Sequence, residues 1–260
     1  MTAVPLAATE YGSGAPLLIL HGVFGAARNW STVAQRLAAS RHVFALDARN
    51  HGASPWAETM SYAEMGEDVH AFIAAHGLGR VALLGHSMGG KTAMLYALQH
   101  ADAVERLVIV DVAPVAYPPV LAAYARAMLS ARLDGVSRRA EVDRQLADAI
   151  PNAAERAFLL QNLVLGEGPA HWRLNLPAIE RAMPALSGFP EPPPGAAFAG
   201  PALFIAGERS HYVRPEYRPA IERLFPSAQI VHVPGAGHWV HAERQHDFLA
   251  LVTPFLTAGQ

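Results

Sequence analysis

Residues 80–89 read Arg80-Val81-Ala82-Leu83-Leu84-Gly85-His86-Ser87-Met88-Gly89 and run directly into an amphipathic stretch that extends to about His100. A short apolar run that ends at a glycine and enters a helical pattern predicts a buried strand turning sharply into a helix. Ser87 stands at the turn itself. A glycine two positions away on either side removes β-carbons that so tight a turn could not hold, and the serine is expected to adopt strained backbone angles that push its hydroxyl outward.

Outward from this turn, residues 15–20, 42–46, 81–84 and 104–110 are short apolar runs with β-branched content, the pattern of strands buried on both faces of a parallel sheet. Between them, residues 30–37 and 62–76 place apolar side chains three or four positions apart, as crossover helices do; Met65, Val69, Phe72 and Ile73 form one such stripe. Alternating β and α units predict an α/β fold, a doubly wound and mostly parallel sheet. The pattern changes over residues 115–186, where four helix-like stretches follow one another and no strand is read. This segment is expected to be a helical cap, with Met128, Leu129, Phe158, Leu159, Leu160 and Leu163 as its packing surface. A proline-rich return at 189–195 leads to two last strands, at 202–206 and 229–233, and a helix at 243–256 closes the chain. The expected organisation is therefore a core in two parts, 1–114 and 187–260, interrupted by the cap at 115–186.

Composition narrows the functional classes. The 260 residues are 52% hydrophobic and only 16% charged, enough apolar material to cover both faces of a sheet. A formal charge of −2 gives no electrostatic case for nucleic acid or an anionic membrane as partner, so a small-molecule substrate is expected. There is no cysteine, which excludes thiolate nucleophiles, thiolate metal sites and disulfides. The first ten residues lack a basic, apolar leader and no stretch has the length of a membrane span, so residence in the cytoplasm is the expectation. Oligomeric state is not legible.

A serine hydroxyl is a poor nucleophile near neutral pH. It needs a base, a group that orients the base, and donors for the developing oxyanion. Among thirteen histidines, His238 in Pro234-Gly235-Ala236-Gly237-His238-Trp239 is the expected base, because a glycine-rich loop directly after the last strand places it at the sheet edge where Ser87 also emerges. His238, His241 and Glu243 have a spacing that invites a metal, but a helix beginning after Val240 explains Glu243 as a first-turn carboxylate; neither metal nor cofactor is expected.

Four motifs in order, His21-Gly22-Val23-Phe24-Gly25, Asp47 to Pro55, Gly85 to Lys91 and Gly237-His238, resemble those of serine hydrolases of the α/β-hydrolase superfamily. The wording around Asn50-His51 and Lys91-Thr92-Ala93-Met94 is similar to a narrower group of small bacterial and mitochondrial carboxylesterases and thioesterases. The resemblance implies a nucleophile elbow at Ser87 and backbone oxyanion donors at Met88 and at Val23, with Phe24 the neighbouring alternative. His21 is expected to hold its loop by hydrogen bonds, and Arg49, Asn50 and His51 to brace the loop beneath the elbow.

The acid of the implied triad departs from the common pattern. Many members carry it in a Gly-x-x-Asp segment after the penultimate strand, but here that segment reads Gly207-Glu208-Arg209-Ser210. Asp111, at the end of the run Leu107 to Val110, is the expected substitute. Glu208 is its rival, and the capping of a turn before Pro114 is an alternative job for Asp111. The implied activity is hydrolysis of carboxylic esters, or of acyl thioesters, with small to medium hydrophobic acyl groups. Carbon–carbon bond hydrolysis or perhydrolysis could use the same residues, and a binding protein on the same scaffold is the alternative outside catalysis.

Overall fold

The computed structural model of the protein describes residues 2–258. Seven strands, β1 (Ala8–Tyr11), β2 (Pro16–Leu20), β3 (His42–Leu46), β4 (Val81–His86), β5 (Val104–Val110), β8 (Ala202–Gly207) and β9 (Ala228–Val233), form one sheet in the order β1-β3-β2-β4-β5-β8-β9. Every neighbouring pair is parallel except β1 with β3. The doubly wound, mostly parallel sheet read from the sequence is therefore the architecture observed. The antiparallel edge strand β1 had no apolar signal because it is largely exposed.

Period-two alternation assigns the inner strands' side chains to opposite layers. Leu18, Leu20, Leu83, Leu107 and Ile109 face the layer that holds α2 (Tyr62–Ala75), α3 (Met88–Gln99) and α8 (Arg218–Leu224). Leu17, Ile19, Leu84, Val108 and Val110 face α1 (Ser31–Leu37) and α10 (Gln245–Thr257). Because the parallel strands all run one way, their carboxyl ends share one rim, and the loops after β2, β3, β4, β5, β8 and β9 meet there.

Between β5 and β8 lie α4 (Leu121–Ser130), α5 (Arg139–Leu146), α6 (Ala153–Leu160) and α7 (Leu176–Ser187). Their apolar faces form a third core with Phe24, Met60, Tyr62, Met65 and Met88 from the sheet domain, so this segment sits over the rim. Two features of this segment differ from the sequence reading. A small hairpin, β6 (Leu163–Val164) with β7 (His171–Trp172), lies inside it; strands of two residues are too short to show a period. Leu129, expected at the packing surface, is 42% exposed instead. At the C-terminus, the short helix α9 (Val240–Glu243) precedes α10 where one helix from Glu243 was expected. No helix among the described residues is long and apolar enough to cross a membrane.

Candidate active site

Ser87 occupies the junction of β4 and α3 with φ 51° and ψ −116°, a conformation that a residue with a β-carbon rarely adopts. The turn is held by close backbone contact. A β-carbon on Gly85 would lie 2.3 Å from the Gly89 carbonyl oxygen, and one on Gly89 would lie 2.3 Å from that of Leu20. Any larger residue at either position would pry the helix from the sheet, so the two glycines fix where the serine emerges.

Met88 opens α3, where the first amides of a helix have no intrahelical acceptor and the helix dipole favours negative charge. Across the site, the 21–25 loop after β2 turns at Phe24, which has φ 61°. The Phe24 amide donates to His51 Nε2 at 3.1 Å, while Asn162 Nδ2 donates to the Phe24 carbonyl at 2.7 Å. Phe24's N–H is thus engaged, whereas no acceptor takes that of Val23 among the described residues. Val23 lines the same cavity as Ser87.

His21 and His51 brace this loop as neutral imidazoles. His21 Nδ1–H donates to the Gly22 carbonyl while its Nε2 accepts the Ala48 amide; His51 Nδ1–H donates to the Arg49 carbonyl. Burial lowers the pKa of His21 and takes that of His51 down to about 3. Arg49 forms a two-point ion pair with buried Asp68 and does not reach the cavity beside Ser87.

His238 lies on the loop after β9. Its Nδ1–H donates to Asp111 Oδ2 at 2.6 Å, and Asp111 is wholly buried. Asp111 follows β5 with φ 51°, and its carboxylate also accepts the Gly207 amide at 3.0 Å and the hydroxyl of Ser210. Three donors, one at the end of β8, one in the loop that follows it and one in the loop after β9, therefore converge on one carboxylate. Glu208 is turned elsewhere, accepting the Gly235 amide at 2.8 Å. With Nδ1 protonated, His238 Nε2 keeps a free lone pair, the form a general base requires. Ser87 and His238 line one cavity of ≈ 710 Å³.

Several supporting residues escaped the sequence reading. Ser210, standing where many family members carry an acid, donates to Asp111, the carboxylate that His238 meets. Tyr212 stacks on the His238 ring at 4.2 Å between centroids. His86 Nε2–H donates to the His238 carbonyl, and Glu243 accepts the amides of Gly237 and Trp239 on either side of the histidine. Only Glu243 left a signal, as a carboxylate in the first turn of a helix. His241 stacks on Trp30 at 3.9 Å, and burial lowers its pKa to about 3 and that of His86 well below the ordinary histidine range. Both are neutral near pH 7 and place no charge beside His238. No group of three or more potential metal-binding side chains occurs among the described residues.

A family model described as the alpha/beta hydrolase fold matches residues 15–245. The sn-1-specific diacylglycerol lipase ABHD11 of Xenopus laevis is 42% identical over 254 residues, covering 95% of this chain and 81% of that protein. The esterase YbfF of Escherichia coli is 34% identical over 249 residues, 94% of each. Among solved structures, a marine microorganism esterase superposes with a TM-score of 0.92 at 37% identity, covering 97% of this chain and 100% of that one.

Proposed function

The chain belongs to the α/β-hydrolase family, and from that premise we propose that it is a serine hydrolase that cleaves carboxylic esters, and acyl thioesters of similar shape, through an acyl-serine intermediate. The observation that carries the reading is the hydrogen bond from His238 Nδ1–H to buried Asp111, with the imidazole in the cavity that Ser87 also lines. The relatives' descriptions as lipase and esterases support ester chemistry. In this reading residues 115–186 cap a core made of 1–114 and 187–260, and the cap's apolar lining favours small to medium hydrophobic acyl groups.

In the first half-reaction the Ser87 hydroxyl oxygen bonds to the substrate carbonyl carbon as its proton passes to His238 Nε2. The carbonyl oxygen becomes an oxyanion facing the amides of Met88 and Val23. Collapse breaks the bond from carbon to the leaving oxygen or sulfur, which takes the proton from His238. Water then attacks the acyl-serine by the same steps, releasing the acid and restoring Ser87. Asp111 holds the imidazole in the required tautomer and offsets the positive charge it acquires. No Ser87–His238 hydrogen bond is formed in the structure. Such nucleophile–base contacts commonly tighten only in the substrate complex.

The test is covalent labelling with a fluorophosphonate followed by peptide mapping, alongside a panel of chromogenic esters and thioesters. The label is expected on Ser87, and Ser87→Ala should lower kcat by ~10⁴ or more. Turnover that persists with Ser87 unlabelled or replaced would remove the mechanism.

A further inference from the structure

Two cavities diverge from Ser87. Both include Val23, Val120, Leu121 and Tyr212 in their walls, and from there they run in different directions. The larger, ≈ 710 Å³, contains His238 and is walled by Phe158, Leu159 and Trp239. The smaller, ≈ 460 Å³, contains no part of His238; it passes Met88 and Leu186 and reaches Tyr62, Tyr117 and Lys91.

We propose that the larger arm holds the leaving alcohol and the smaller arm the acyl group, with Lys91 ending the acyl arm and selecting short acyl chains. The assignment rests on the serine hydrolase reading above and on where the proton must go. His238 has to deliver its proton to the leaving oxygen, so the leaving group must lie in the arm that His238 lines. The acyl substituent, on the opposite side of the tetrahedral carbon, is left with the other arm.

The chemistry at the end of that arm limits what fits. Lys91, the chain's single lysine, lies in the first turn of α3 just beyond Ser87 and lines the same cavity. Its amino group is buried, donates to the Ser187 carbonyl at 3.1 Å and to that of Gly188, and sits 4.6 Å from the centre of the Tyr117 ring. No carboxylate pairs with it among the described residues. A long alkyl tail would have to displace this polar group or end against it, and gains nothing there from hydrophobic burial. The larger arm is walled on one side by Phe158, Leu159 and Trp239; its one carboxylate, Glu155, is half-buried and accepts the Tyr124 hydroxyl, and no lysine lines it.

Two ester series separate the arms. In the first, p-nitrophenyl esters run from acetate to decanoate; in the second, acetates run from ethyl to decyl and are followed by acid release. The kcat/KM of the first series is expected to fall by at least ~10-fold between butanoate and decanoate, while that of the second holds or rises with alcohol length. Leu186→Ala, which widens the acyl arm, should raise the decanoate-to-butanoate ratio without changing how the second series depends on alcohol length. Phe158→Ala should lower the rates of the longer acetates and leave the acyl profile unchanged. Preference for decanoate over butanoate, or a crossed response of the two variants, would overturn the assignment. If neither series is turned over and Ser87 takes no fluorophosphonate label, it is the hydrolase reading that fails, and the assignment falls with it.

Discussion

Ser87, Asp111 and Phe24 all hold positive φ angles without being glycine, and all three border the candidate site. Conformations of this kind cost of order 1–3 kcal/mol each and persist where the surroundings enforce them. At Ser87 the enforcement comes from the Gly85–Gly89 contact, and at Asp111 from an amide that donates to Ile205 and a carboxylate held by three donors. The two carboxylates near the rim are thereby given different work. Asp111→Asn is expected to lower kcat by ~10⁴, because the amide would hold His238 in the wrong tautomer. Glu208→Gln should change kcat by less than ~3-fold, since it removes only charge from an exposed loop contact to Gly235. Steady-state kinetics of the two variants on one ester decides between them. Ser87 was legible because its neighbours in the chain set its turn, whereas the choice between Asp111 and Glu208 depended on which loop reached the imidazole.

Among the elements, the loop between β9 and α9 determines where His238, the proposed base, sits. It has no regular hydrogen-bonded ladder of its own. Its position is set by Glu243 accepting two of its amides, by His86 donating to its carbonyl at residue 238, and by close contact with β8, where a β-carbon on Gly207 would lie 2.1 Å from the Gly237 carbonyl oxygen. Glu243→Ala leaves the Gly237 and Trp239 amides to solvent and should destabilise the fold by only about 1 kcal/mol. Its effect on kcat is expected to be larger, ~10-fold, through displacement of His238, with fluorophosphonate labelling of Ser87 slowed in parallel. A change in melting temperature without a change in labelling rate would show that Glu243 serves stability alone. Strands β2, β4, β5 and β8 and helices α2 and α3 were legible as apolar periods, while β1 and the β6–β7 hairpin were not: the edge strand is mostly exposed and the hairpin strands have two residues each.

Over the whole molecule, four buried imidazoles, His21, His51, His86 and His241, have pKa values lowered by burial, to about 3 in the cases of His51 and His241. In the unfolded chain each titrates near 6.5, so between about pH 6.5 and 3 the unfolded state binds more protons than the folded one. The stabilisation is complete above about pH 6.5 and is lost as pH falls toward 3. Denaturant unfolding measured from pH 7 to 4 should show stability declining with acid. His241→Phe, which keeps the stack on Trp30 and removes a ring nitrogen with no hydrogen-bond partner, should lessen the slope by up to ~1.4 kcal/mol per pH unit, the value for one proton. An unchanged slope would mean that His241 is not neutral in the fold. The sequence by itself determined the layered α/β architecture and the positions along the chain of Ser87 and His238, because hydrophobic period and glycine spacing are local properties that a strand or turn expresses wherever it lies. Only the tertiary structure decided that Asp111, 127 residues from His238, meets its ring, that Phe24's amide is engaged while Val23's has no partner among the described residues, and that two cavities part at the serine. Those outcomes depend on the directions of single N–H and C=O groups after distant loops have packed together, and no periodicity along the chain encodes them.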